Sequence, residues 1–105
     1  MAAFRIDFDW DPKKEASNSA KHGVAFELAM TVFRDPLAAT ILDHEHGGDE
    51  ERWITLGESV DGRLVLVVHT WVQTSADHAL VRIISARRPT RREARQYKEG
   101  GPHEE

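Results

Sequence analysis

The sequence predicts an α+β fold, a single domain over residues 1–105 with a mainly antiparallel sheet and the order β-α-α-β-β-β-β-α. Three observations predict it. Residues 12–34 and 90–99 have helical spacing, whereas residues 39–86 alternate with a period of two or are apolar throughout. An Asp-Gly turn joins two of the predicted strands. A chain of 105 residues has room for only one hydrophobic core.

The N-terminal part predicts a strand followed by a helix. Apolar and charged residues alternate from Phe4 to Phe8, as in a half-buried strand. Asp11 can cap a helix that begins at Pro12 and runs to about His22, because proline is well tolerated at the first helical position. Gly23 supplies the left-handed residue that ends such a helix.

A second helix is predicted from Phe26 to Arg34. Its core-facing stripe has the spacing i, i+3, i+4 and i+7 and comprises Phe26, Ala29, Met30 and Phe33. Ala25 offers no side-chain cap at its start, and Asp35-Pro36 ends it.

Four strands then follow. They are predicted at Ala39–Asp43, Arg52–Glu58, Arg63–Val72 and Leu80–Ala86, with polar loops at His44–Glu51 and Gln73–Ala79. The turn Ser59–Gly62 makes a hairpin of the second and third. Leu64 to Val68 is apolar on both faces, which predicts a central strand.

A capping box opens the last helix. Thr90 is its N-cap and Glu93 lies three residues on, so this role accounts for Glu93 without a catalytic function. The helix is expected to reach about Glu99, with residues 99–105 as a frayed tail.

The charge is unevenly distributed. Residues 1–81 have a net charge of −7, residues 82–98 of +6 and the tail of −3. One concentrated basic region suits phosphate, and it suits an acidic protein partner equally well. No cysteine is present, which excludes disulfides and thiolate chemistry. The longest apolar run, Leu64 to Val68, is too short for a membrane span, and no secretory pattern occurs, so a cytoplasmic protein is expected.

Several motifs occur together in the order and spacing of a known family. They are Phe8-Asp9-Trp10-Asp11-Pro12, Asn18, Lys21-His22-Gly23, Phe26-Glu27, Val32-Phe33, Asp35-Pro36-Leu37, Glu51-Arg52, Ile54, Leu56-Gly57, Ile83-Ile84-Ser85-Ala86-Arg87, Thr90-Arg91-Arg92-Glu93 and Tyr97. In these motifs the chain resembles the BrnT family of toxins. It departs from the expected pattern in the longer segment Val72–Ala79 and in Pro89.

The resemblance implies a ribonuclease with a RelE-like fold. No cofactor is expected, because the strand-to-helix junction is basic and the sequence offers no convincing set of metal ligands. The resemblance also implies a BrnA-like ribbon-helix-helix antitoxin, bound in a heterotetramer that contacts operator DNA through the antitoxin and represses its own promoter.

RNA cleavage without a metal needs groups that transfer protons and cations that stabilise the phosphorane. The candidate catalytic residues are Lys21, His22, Arg52, Arg82 and Arg87. Arg87 is expected to present an open fork of donors beside the N-terminus of the last helix. Arg88, Arg91 and Tyr97 are candidate RNA-binding residues, Tyr97 by stacking on a base.

Structural roles for these residues, and other functions for the chain, remain open at this point. The arginines also fit a solvated surface or an antitoxin contact, and Lys21 and His22 suit the dipole at a helix C-terminus. A non-catalytic subunit of a repressor complex is one alternative function. Another is a metal-dependent nuclease that uses His44 and His46.

Overall fold

The computed structural model describes residues 3–44 and 51–100, which form the predicted α+β domain. The helices are α1 (Pro12–His22), α2 (Phe26–Met30), continued by a 3₁₀ turn (Thr31–Arg34), and α3 (Arg91–Lys98). The strands are β1 (Arg5–Asp9), β2 (Ala39–Leu42), β3 (Trp53–Glu58), β4 (Leu64–His69), β5 (Val72–Ser75) and β6 (His78–Arg87). No helix in the described ranges is long and apolar enough to cross a membrane.

The helix ends confirm the capping predictions. The Asp11 side chain accepts a hydrogen bond from the Lys13 N–H, and Gly23 ends α1 with φ of +68°. Thr90 and Glu93 form both hydrogen bonds of the capping box. These ends were predictable because a cap is a local interaction between residues close in sequence.

The second helix changes form partway along its predicted range. After Met30 the chain continues as a 3₁₀ turn, in which the Thr31 hydroxyl donates to the carbonyl of Leu28 at 2.6 Å and accepts from the Val60 N–H at 3.0 Å. The β-branched Thr31 and Val32 favour the α-helix only weakly, so the local contact with Leu28 and the tertiary contact with Val60 set the geometry.

The six strands form one sheet with the order β1-β6-β4-β3-β2, and β5 also pairs with β6. β1 is parallel to β6, while the other pairs are antiparallel. β4 lies centrally, as predicted, between β6 and β3.

The predicted strand Arg63–Val72 was wrong in one respect, because it is two strands. The pairing with β6 shifts after Val68, and Thr70 bridges the break by bonding Arg82 through both its N–H, at 2.9 Å, and its hydroxyl, at 3.1 Å. The predicted loop Gln73–Ala79 was wrong for the same reason, since β5 resumes the pairing there and a short turn leads directly into β6. A bulge of this kind depends on both strands and leaves no local signal.

The two faces of the sheet differ. α1 and α2 cover one face, and the core beneath them comprises Val24, Phe26, Ala29, Val32, Val65, Val67, Val81, Ile83 and Ala86. On the opposite face α3 has no buried residue, and Ile41, Val72 and Leu80 are each more than two fifths exposed. The predicted tail falls partly outside the described residues, since 101–105 are among those not described.

Candidate active site

A buried asparagine holds α1 against the edge of β6. Asn18 donates to the carbonyl oxygens of Ala86 at 2.8 Å and Val24 at 3.2 Å, and its Oδ1 accepts from the Ala86 N–H at 3.1 Å. β1 pairs with β6 only as far as Arg82. Asn18 therefore replaces β1 as the hydrogen-bond partner of this edge and fixes where the last turn of α1 lies.

A cleft of about 240 Å³ opens between α1 and β6 beside this contact. It is lined by Lys14, Ser17, Asn18, Lys21, His22, Ile84 and Ser85. Among the described residues, this lining contains three basic side chains, two hydroxyls and no carboxylate. A concave surface of that composition attracts anions, because nothing within it neutralises the cations.

The cleft brings together two of the predicted catalytic residues, Lys21 and His22. Both side chains are exposed, and neither has a hydrogen bond or ion pair with any residue in 3–44 or 51–100. Sequence reasoning missed Lys14, Ser17 and Ser85 as site residues. The spacing of Lys14 and Lys21 placed them on one polar helix face, but Ser85 reaches the cleft only through the position of β6.

Arg87 lies outside the cleft and is bound to α3. Its Nη1 and Nη2 donate to the two carboxylate oxygens of Glu93 at 2.9 and 3.0 Å. The pKa of Arg87 is raised by the hydrogen bonds to Glu93, and the pKa of Glu93 is lowered mainly by those from Arg87. The fork of donors expected at Arg87 is held in place, but its paired ends already bind a carboxylate. Glu93 has this second partner besides its capping role.

The other predicted arginines are dispersed over the surface. Arg82 is exposed on the face opposite α1 and pairs with Asp9 at 3.2 Å. Arg88 donates to the carbonyl of Leu64 at 3.2 Å. Arg52 is half-buried, and its guanidinium makes no hydrogen bond or ion pair with another described residue, while Arg91 is exposed on α3.

Tyr97 binds a carboxylate away from the cleft. Its hydroxyl donates to Asp35 at 2.5 Å, which raises the pKa of Tyr97 to about 12. Burial raises the pKa of Asp35, but this bond and those from the N–H groups of Glu58 and Leu37 outweigh burial and lower it overall. The ring is half-buried, so one part of it stays accessible.

The metal-site alternative rests mostly on residues that the structure does not describe. His44 is exposed, and His46 lies outside the described residues. Among 3–44 and 51–100, no group of three or more His, Cys, Asp or Glu residues could hold a metal ion.

Comparisons with known proteins identify a family for the sequence and a relative of the fold. Residues 10–93 match the family model described as the ribonuclease toxin BrnT of type II toxin–antitoxin systems. The crystal structure of the Brucella abortus ribonuclease toxin BrnT is similar, with a TM-score of 0.54 and 21% identity over 83% of this chain and 100% of that one. That similarity shows the fold. A comparison with curated proteins finds no match.

Proposed function

The chain belongs to the BrnT family of ribonuclease toxins of type II toxin–antitoxin systems, and from this premise we propose that it is a metal-independent endoribonuclease acting at the cleft between α1 and β6. The observation that carries the proposal is that Lys21 and His22 share this cleft with Lys14 and no carboxylate. A bound RNA phosphate would therefore meet unneutralised cations and an imidazole.

The proposed chemistry is attack of the ribose 2′-oxygen on the adjacent phosphorus, with loss of the 5′-oxygen. His22 transfers protons, because imidazole is the side chain best matched to proton transfer near neutral pH. Lys21 and Lys14 stabilise the extra negative charge of the phosphorane. The products are a 2′,3′-cyclic phosphate and a free 5′-hydroxyl.

The arginines take supporting roles in this proposal. Arg82 is available to a flanking phosphate, since an exposed ion pair such as that with Asp9 contributes little and exchanges easily. Arg52 and Arg91 offer further exposed or half-exposed cations to the RNA backbone. Arg87 holds α3 through Glu93 and acts by positioning.

We further propose that a BrnA-like ribbon-helix-helix antitoxin neutralises the chain. Support comes from membership in a two-component toxin–antitoxin family and from the net charge of +6 over residues 82–98, which suits an acidic partner. In this proposal the two proteins form a heterotetramer that binds operator DNA through the antitoxin and represses their own transcription.

The test is incubation of the purified chain with naked RNA, with and without EDTA, followed by analysis of the product ends. We expect cleavage to survive EDTA and to leave cyclic phosphate. His22→Ala should lower the rate by about 10²- to 10⁴-fold and Lys21→Ala by about 10²- to 10³-fold. Lys13→Ala is the matched control, because Lys13 is an exposed lysine of the same helix that does not line the cleft.

Two results would contradict the proposal. Activity that is lost in EDTA and restored by a divalent cation would favour the metal-dependent alternative. No cleavage by the parent chain, together with tight binding to an antitoxin–operator complex, would favour a non-catalytic subunit.

A further inference from the structure

A second cavity lies on the helix-bearing face of the sheet, away from the cleft. It measures about 380 Å³ and is lined by Phe33, Thr40, Trp53, His69 and Trp71. These residues come from the 3₁₀ turn, from β2, β3 and β4, and from the link between β4 and β5. None of them is used by the proposed cleavage site.

The walls of this cavity are aromatic rings that the core does not fully enclose. Phe33, Trp53 and Trp71 are all half-buried. Trp71 also lies nearly parallel to Phe4, with ring centroids 6.0 Å apart. The remaining tryptophan differs, because Trp10 packs edge-on against buried Phe26 and donates to Glu15 at 3.2 Å.

A chain of hydrogen bonds connects two of the lining residues, His69 and Thr40, through Thr55. The Nδ1 of His69 lies 2.8 Å from the carbonyl oxygen of Thr70, and its Nε2 lies 2.7 Å from the Thr55 hydroxyl. The Thr55 hydroxyl in turn lies 2.7 Å from that of Thr40. His69 and Thr55 are buried, whereas Thr40 is exposed at the mouth of the cavity.

The direction of every bond in this chain can be assigned. A carbonyl only accepts, so the Nδ1 of His69 carries the hydrogen. Burial lowers the pKa of His69 and keeps the ring neutral, so Nε2 accepts from the Thr55 hydroxyl. Thr55 has then used its hydrogen and accepts from Thr40. The oxygen of Thr40, an exposed residue that lines the cavity, is left as an acceptor.

We propose that this cavity is a nucleobase subsite that prefers a base carrying an exocyclic amino group. The inference rests on the proposed function, because it takes RNA to be the ligand. Aromatic side chains stack on any base, which gives affinity without selection. The acceptor at Thr40 adds the selection, since an amino group donates to it. An aliphatic side chain of a protein partner would use the walls and leave the acceptor without a donor.

The experiment titrates the purified chain with adenosine 5′-monophosphate and, separately, purine riboside 5′-monophosphate, which lacks only the 6-amino group. Binding is followed by NMR through the indole N–H signals. We expect the Trp53 and Trp71 signals to move while that of Trp10 stays in place. Adenosine monophosphate should bind about two- to tenfold more tightly, as one hydrogen bond allows.

Thr40→Val tests the selection, because it keeps the shape of the side chain and removes the acceptor. We expect the variant to bind both nucleotides with the affinity that the parent has for purine riboside monophosphate. Thr74→Val is the matched control, since Thr74 is an exposed strand threonine outside the cavity, and it should keep the parental preference. A mononucleotide has no internucleotide bond, so these results are independent of whether the chain cleaves RNA.

Either of two outcomes would overturn the proposal. One is that neither nucleotide moves the Trp53 and Trp71 signals, which would leave the cavity to a protein partner. The other is equal affinity for both nucleotides in the parent, or a preference that survives Thr40→Val.

Discussion

His69 is a histidine whose two ring nitrogens are both hydrogen-bonded inside the protein, with 1% of the residue exposed. Burial lowers its pKa below the ordinary value, and the bond to Thr70 opposes this only in part. Below about pH 6.5 the imidazole of His69 therefore binds a proton in the unfolded chain more readily than in the folded chain. The contribution of His69 to stability is full above that pH and is lost as the pH falls toward the folded pKa.

We therefore expect the urea concentration at the unfolding midpoint of the parent to decrease as the pH is lowered from 7.5 to 5.5. His69→Asn should be less stable at pH 7.5 but should lose less over this range, because it has no ring to protonate. Comparing the two slopes isolates His69 from the other histidines. Identical slopes in parent and variant would show that another group causes the pH dependence.

Single residues also show where sequence reasoning stopped. Lys21 and His22 could be placed at the end of a capped helix, and the structure has them there, lining a cleft. The partner of Arg87 could not be foreseen, because it depends on the angle at which α3 leaves β6. The hydrogen-bonded chain beside the aromatic cavity was missed as well, since Thr40, Thr55 and His69 come from three strands whose register no local pattern fixes.

At the scale of elements, α3 is held mainly by polar contacts. It has no buried residue, and Glu93 supplies both half of its capping box and the ion pair with Arg87. These two contributions can be separated, because glutamine can replace glutamate in a capping box but cannot form an ion pair.

We expect Glu93→Ala to lose both contributions and about 1–2 kcal/mol of unfolding free energy. Glu93→Gln should lose less than half of that, because the ion pair is partly solvated. Urea denaturation of the three proteins at pH 7 measures both values. Equal destabilisation by the two substitutions would mean that the ion pair, and not the cap, secures the helix.

Elements defined by local interactions were predicted better from the sequence than elements defined by strand pairing. The bounds of α1 agree with the prediction because its caps involve residues within a few positions of one another. β5 was missed because the pairing with β6 shifts between Val68 and His69 before β5 resumes it, and the polar sequence of β5 resembles a loop. Strand order could not be predicted from the sequence either, since the parallel pairing of β1 with β6 joins the first and sixth strands, which are far apart in the sequence.

At the scale of the whole molecule, the charges are separated although the net charge is −4. RNA binding should therefore weaken with salt, as counterions are released from each neutralised phosphate. For single-stranded RNA, a plot of log binding constant against log salt concentration becomes less steep by about 0.7 for each phosphate contact removed. Lys14→Ala should reduce the slope by about that amount, and Lys13→Ala should leave it unchanged. A slope that neither substitution alters would place the phosphate path elsewhere.

The contact between Asn18 and Ala86 joins positions 68 residues apart. This separation determines when, during synthesis of the chain, the proposed cleft can be complete. During synthesis the helix that carries Lys21 and His22 emerges before the strand against which it forms the cleft, because Ala86 is added 68 residues after Asn18. Contacts so distant in sequence form slowly and late. A nascent chain therefore has no complete cleft until β6 has left the ribosome, which leaves an interval for an antitoxin to bind it.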